Sequence, residues 1–169
     1  IKVSFDAGVR RDNPDKIGVA SFAGALMDTG TVTLSEEAIR NQIARLAINL
    51  NTSAGLEHAS LDFRSRTKAE ILQPALKLAN QVLTQPAFDV KILKREQARS
   101  IQSLKQGQTD AGFLADRAIT KFDYPEHPYG FPARISEQTI QNVKREDLVQ
   151  FYQKHYVTEG AVVSIVGAV

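Results

Sequence analysis

Two adjoining runs of period two near the middle of the chain constrain its fold more than any other feature. Leu50, Thr52 and Ala54 alternate up to Gly55, and Glu57, Ala59, Leu61 and Phe63 then alternate with His58, Ser60, Asp62 and Arg64. Successive strand side chains point to opposite faces, so the second run has one apolar face and one that is wet or lines a cavity. Gly55 between them suits a hairpin turn. A further strand pattern opens the chain, with Ile1, Val3 and Phe5 set against Lys2, Ser4 and Asp6, and the run 162–169 closes it as another.

Between these runs the period is helical. Gly8 and the charged turn Arg10-Arg11-Asp12-Asn13-Pro14-Asp15 end the first strand. A helix over about 18–27 follows, and Gly30 terminates it. Its many small side chains imply burial against neighbouring backbone, Ser21 included. Thr33 with Glu36 three residues later forms a capping-box start for a second helix, which carries Ala38, Ile39, Ile43, Leu46 and Ala47 at helical spacing. Strong amphipathic helices follow over 68–84, stopped by Pro86, and over 89–105, interrupted by Gly107. A shorter helix over 110–122 leads into the Tyr124–Gly130 loop, and two small helices, 137–143 and 145–155, precede the last strand. This order predicts an α+β fold (an α/β sandwich), with a mixed, mainly antiparallel sheet covered by helices chiefly on one face. No glycine-rich turn of dinucleotide-binding form follows the first strand.

At 169 residues the chain is long enough for one domain with its own core. Both ends fall at strand patterns. The expectation is therefore a single domain over 1–169, the N-terminal domain of a longer two-domain polypeptide truncated at both ends. Lys and Arg number 21 against 19 acids, an excess too small and too dispersed for nucleic acid. The absence of cysteine excludes disulfides and thiolate metal sites. No apolar run approaches a membrane span.

Catalytic chemistry finds little to stand on. A zinc site commonly starts from two histidines on one helical face, but His58, His127 and His155 fall in a strand, a loop and a helix end, with no ligand spacing. No Gly-x-Ser-x-Gly turn occurs, and Ser35 and Ser136 read as turn or helix-start serines. Glu36 and Glu37 complement a helix dipole, and Glu96 sits among Lys94, Arg95 and Arg99 as on a solvated face. The Tyr124–Phe131 loop reads as a packed seal of the helical layer, with a peptide or partner contact as the alternative.

The segment Gly18-Val19-Ala20-Ser21-Phe22-Ala23-Gly24-Ala25-Leu26-Met27-Asp28-Thr29-Gly30-Thr31 nevertheless resembles the zinc helix of the insulinase and mitochondrial-processing-peptidase family M16. That family shows Gly-Leu-Ala-His-Phe-Leu-Glu-His-Met-Leu-Phe-x-Gly-Thr. Laid against it without a gap, Gly18, Ala20, Phe22, Gly30 and Thr31 match. The first zinc histidine falls on Ser21, the catalytic glutamate on Gly24, the second histidine on Ala25 and the later glutamate ligand on Gln102. Glu96 or its neighbourhood corresponds to an upstream supporting acid. Further family phrases are Phe5-x-Ala7-Gly8, Asn51-Thr52-Ser53-Ala54 with the following strand, His127-Pro128-Tyr129-Gly130, and Leu148-x-x-Phe151-Tyr152-x-x-x-Tyr156.

The resemblance implies an M16-like fold with no catalytic residue of its own, no bound metal and no cofactor in this chain; zinc is expected only in an active partner. It also implies that Asn51, Thr52, Ser53 and Ala54 help to bind an extended peptide by edge-strand pairing. The leading expectation is a non-catalytic, structural and substrate-binding partner of an active zinc peptidase, joined to a homologous M16 subunit or to a second copy of itself. Alternatives are an essential subunit of a heterodimeric metallopeptidase that contributes residues to its partner's active site, and a non-proteolytic scaffold. The bacterial periplasm is the favoured compartment by the same resemblance, with mitochondrion and cytoplasm as alternatives.

Overall fold

The computed structural model describes residues 1–168; Val169, the last residue of the expected closing strand, lies outside them. Four strands, β1 (Lys2–Phe5), β2 (Asn49–Ala54), β3 (Ala59–Arg64) and β4 (Val162–Ser164), form one sheet in the order β2-β3-β1-β4, and every pairing is antiparallel. Val3 stands opposite Leu61 and Val163, and Thr52 opposite Leu61. The period-two reading of β3 holds, with Ala59, Leu61 and Phe63 buried. The strand begins two residues later than Glu57, because Leu56 and Glu57 make the hairpin turn, closed by the Gly55 N–H donating to the His58 carbonyl at 2.8 Å.

The hairpin tip also receives the chain leaving β1. The N–H groups of Gly8, Val9 and Arg10 donate to the carbonyls of Glu57, Gly55 and Leu56. This approach is close enough to require glycine, since a Cβ at Gly8 would lie 2.3 Å from the Glu57 carbonyl carbon.

The helices are α1 (Val19–Leu26), α2 (Glu36–Leu46), α3 (Ala69–Thr84), α4 (Val90–Gly107), α5 (Ala111–Asp123), α6 (Phe131–Arg134), α7 (Glu137–Asn142) and α8 (Arg145–His155). The apolar sides of these helices, that of α5 excepted, pack with the inner sheet face in one core, in which Leu26, Met27, Ile39, Leu61, Leu78, Val82, Phe88, Ile140 and Leu148 are almost wholly buried. Gln97 shares the buried side of α4 for a polar reason: its amide donates to the carbonyls of Ile140 and Val143, at 2.6 and 2.9 Å, and ties α4 to α7.

The start of α2 differs from expectation. Ser35, not Thr33, caps it, accepting the Ala38 N–H at 3.2 Å. Thr33 is held back by a turn in which Thr31 Oγ1 accepts the N–H groups of Thr33 and Leu34, while Thr31 bridges to Pro86. Glu36 is thereby freed to accept both Arg95 nitrogens from α4, at 2.9 and 3.0 Å, and Arg40 at 2.7 Å. Chiefly through the Arg95 hydrogen bonds, its carboxyl is held down to about 2 from an ordinary 4.5. A depressed carboxylate stabilises the fold above its unfolded value and loses that contribution as the pH falls from 4.5 towards about 2. Glu36→Gln is therefore expected to lower the melting temperature at neutral pH and to flatten its fall on acidification, in thermal melts recorded across the acid range.

Candidate functional site

Helix α1 is the place to look for chemistry, and its first turn is built by a side chain from outside it. Gly18, at φ +114°, turns the chain into the helix but has no side chain to cap it. Asp12 takes that role from six residues upstream. Its two carboxylate oxygens accept the N–H groups of Gly18 and Ala20, each at 2.7 Å. Asp12 is 7% exposed, and burial pushes its carboxyl up to about 6 against the downward pull of the two N–H groups. In the sequence Asp12 is one member of a charged turn; an acid shortly before a helix whose cap position is glycine is the signal for this role.

From this anchor the faces of α1 follow. Val19, Ala20, Phe22, Ala23, Gly24 and Leu26 are buried, whereas Ser21 and Ala25, four residues apart, share the exposed face. Ser21 is thus on the surface and not in the buried part of the helix as expected, because the helical turn carries it away from the sheet. Gly24 lies against β2. A Cβ at Gly24 would sit 2.6 Å from the Ala54 nitrogen and 2.7 Å from the Ser53 carbonyl carbon, separations that folded proteins essentially never show. Gln102, on α4, is exposed in a shallow groove lined by Ala98, Ile101, Lys105, Gln106 and Thr109, with no residue of α1. Helices α1 and α4 do come into contact with each other.

These positions do not fit a zinc ion. A hydroxyl and a methyl stand at Ser21 and Ala25, and backbone fills the space beside Gly24. Gln102 offers one neutral oxygen. The three histidines stay apart in role: His58 follows the hairpin turn, His127 Nδ1 accepts the Tyr129 N–H at 3.2 Å, and His155 stacks on Phe151 at 4.6 Å. Among the described residues no group of three or more His, Cys, Asp or Glu could hold a metal. Glu96 accepts Arg95 and Arg99, at 2.8 and 3.0 Å, an ordinary surface network.

Strand β2 is at the end of the sheet, so one of its sides pairs with no described strand. Asn49, Asn51 and Ser53 are exposed on the outer face, and Leu50 and Thr52 are buried. The four residues Asn51 to Ala54 therefore split, with Asn51 and Ser53 outward, Thr52 in the core and Ala54 half-buried beneath Gly24. Asp28, next to this strand, has its carboxyl raised by burial, with the Thr52 backbone N–H opposing the shift.

The pattern of the insulinase family, peptidase family M16, matches residues 1–121. The chain belongs to this family. It is a family member with no intact zinc-binding motif, since no His-x-x-Glu-His occurs in it. A probable mitochondrial-processing peptidase subunit beta of Arabidopsis thaliana is 25% identical to it over all of this chain and 32% of its own length. The structure of an M16 inactive domain from Pseudomonas fluorescens superposes with a TM-score of 0.90 at 24% identity, over 95% of this chain and 39% of that one. The periplasmic protease PqqL from Escherichia coli superposes with a TM-score of 0.76 at 18% identity, over 95% of this chain and 18% of that one. The chain spans 40% and 32% of the first two curated relatives it matches. No described helix is long and apolar enough to cross a membrane.

Proposed function

We propose that this M16 chain is a non-catalytic partner of an active zinc peptidase, contributing structure and holding substrate while the partner supplies zinc. The observation that carries this reading is the packing of Gly24 on β2, which removes the space a catalytic side chain needs and leaves the fold intact. Ser21, Ala25 and Gln102 are the other family positions without chemistry. An extended peptide would run along β2, where Asn51 and Ser53 offer polar side chains and one strand side is unpaired. Within the longer polypeptide implied by its relatives, this chain would be the N-terminal domain. The periplasm is the compartment we favour, in line with the compartment named for PqqL.

The test combines the chain with an active M16 peptidase from the same source. The chain alone is expected to bind no stoichiometric zinc and cleave no peptide, but to co-purify with the active enzyme and raise its turnover of an extended peptide. Ser53→Lys with Asn51→Lys should weaken peptide capture about tenfold, or about 1.4 kcal/mol, with an unchanged melting temperature. Zinc-dependent cleavage by the chain alone sinks the proposal. Activity that appears only in the mixture, and survives both lysine substitutions, would instead favour the heterodimeric-subunit reading.

A further inference from the structure

Only one side of β2 is bonded to β3, and the register shows which backbone groups are left over. Opposed residues of an antiparallel pair alternate between bonding to each other and pointing their polar groups away. The Gly55 N–H donates to the His58 carbonyl, so Ser53 with Ser60 and Asn51 with Asp62 are the bonded pairs. Phe63, opposite Leu50, turns the other way and exchanges both its bonds with Ile1. The N–H and carbonyl groups of Leu50, Thr52 and Ala54 therefore form the free edge of the sheet.

The middle of that edge is already occupied. Asp28 stands in the short helical turn Met27–Thr29, which follows α1 and packs on β2. The turn is held by Thr29 Oγ1, which donates to the Leu26 carbonyl at 2.8 Å. The half-buried Asp28 carboxyl lies against the Thr52 N–H and hydroxyl. Thr52 is 6% exposed, and its hydroxyl has no other partner among the described residues. Ion pairing does not account for this placement, because Arg40, the cation whose charge reaches Asp28, donates to Glu36 at 2.7 Å. An acid gives up hydration in such a position, and the unpaired strand N–H is what it meets there.

We propose that Asp28 is a built-in cap on the free edge of β2, its carboxyl taking the place at the Thr52 N–H that the carbonyl of a bound peptide would take. A backbone N–H is a single donor, so the two acceptors exclude each other. Carbonyl and carboxylate oxygens also repel. A peptide strand pairs along β2 only in molecules whose Asp28 side chain has turned away, and its apparent affinity falls by the fraction of such molecules. This consequence rests on the peptide role of β2 proposed above; the cap itself does not.

Amide hydrogen exchange, followed by NMR on the full chain, tests the cap. The Thr52 amide should exchange slowly, and that of Leu50, on the same edge without Asp28 upon it, quickly. Asp28→Ala should speed Thr52 exchange about tenfold relative to Ser53, which stays bonded to β3 and corrects for any loss of global stability. Asp28→Asn keeps an acceptor oxygen and should retain most of the protection. A labelled extended peptide without charged side chains should bind Asp28→Ala about tenfold more tightly than the unaltered chain, as for a chain about 90% capped. A Thr52 amide that exchanges as fast as that of Leu50, or is indifferent to Asp28→Ala, overturns the proposal. So does weaker peptide binding by Asp28→Ala. Responsive exchange with no peptide bound by either protein leaves the cap in place and sinks the peptide reading of β2, so the two proposals fail separately.

Discussion

Restoring the family's side chains, as Ser21→His, Gly24→Glu and Ala25→His together with Gln102→Glu, is expected to destabilise the fold without creating a zinc centre. Ser21 and Ala25 are exposed and would accept imidazoles. Gly24 would not accept a side chain, because its Cβ would fall 2.6 Å from the Ala54 nitrogen. The atoms in the way are backbone, so no rotamer change relieves the contact, and either α1 or β2 must move. Overpacking of this kind commonly costs about 1–3 kcal/mol, and a displaced strand puts this site at or beyond the upper end. Gly24→Ala alone isolates the steric effect. Chemical denaturation should show most of the loss already present in that variant, with zinc titration of the quadruple variant giving no stoichiometric binding. A stable quadruple variant that binds one zinc would show that β2 can retreat and that only the side chains were lost.

Removal of the Asp12 carboxylate should be the other severe substitution. Asp12→Ala leaves the Gly18 and Ala20 N–H groups without acceptors in a buried place, at the end of the helix where the backbone dipole is most positive. Losing charged acceptors of this type costs on the order of 2–4 kcal/mol. Asp12 also gives stability a pH dependence of its own. Because burial raises its carboxyl from 3.8 to about 6, the folded state holds a proton that the unfolded chain releases. Its contribution is complete below pH 3.8 and declines as the pH rises to about 6. Asp12→Asn, of the same shape and without the titration, should remove that decline. Denaturant midpoints measured across this window for the two proteins check both the size and the sign. Parallel pH curves would mean that Asp12 remains ionised throughout.

The strands and long helices were legible because their faces are sharply divided. β3 shows its buried Ala59, Leu61 and Phe63 as plain alternation, and the buried Ala75, Leu78, Ala79 and Val82 of α3 recur at helical spacing. Local chemistry was less legible where two residues competed for one role. Thr33 and Ser35 both suit a helix start, and only the bridge from Thr31 to Pro86, a contact across more than fifty residues, decides for Ser35. Asp12 escaped because its partners are backbone groups, which carry no mark in a sequence. The resemblance proposes where the family's zinc positions fall, but a sequence does not tell a merely vacated position from one occupied by backbone, as at Gly24. For α5 the sequence marked a helix over 110–122 but no face; Arg117, bonded to the Ile135 carbonyl, and Phe113, packed on Gly107, turn its apolar side outward.

The sheet order has a consequence for the history of each molecule. Of the four strands β1 is made first, but its neighbours are β3, some sixty residues later, and β4, the last strand described. On the ribosome β1 can pair on one side only after the hairpin has emerged, and on the other only when synthesis has passed residue 162. Until then the growing chain exposes unpaired strand backbone, the kind of edge that invites association with other chains. Sequence-distant pairing of this kind also slows folding. Of the four strands, β1 therefore waits longest for its final place.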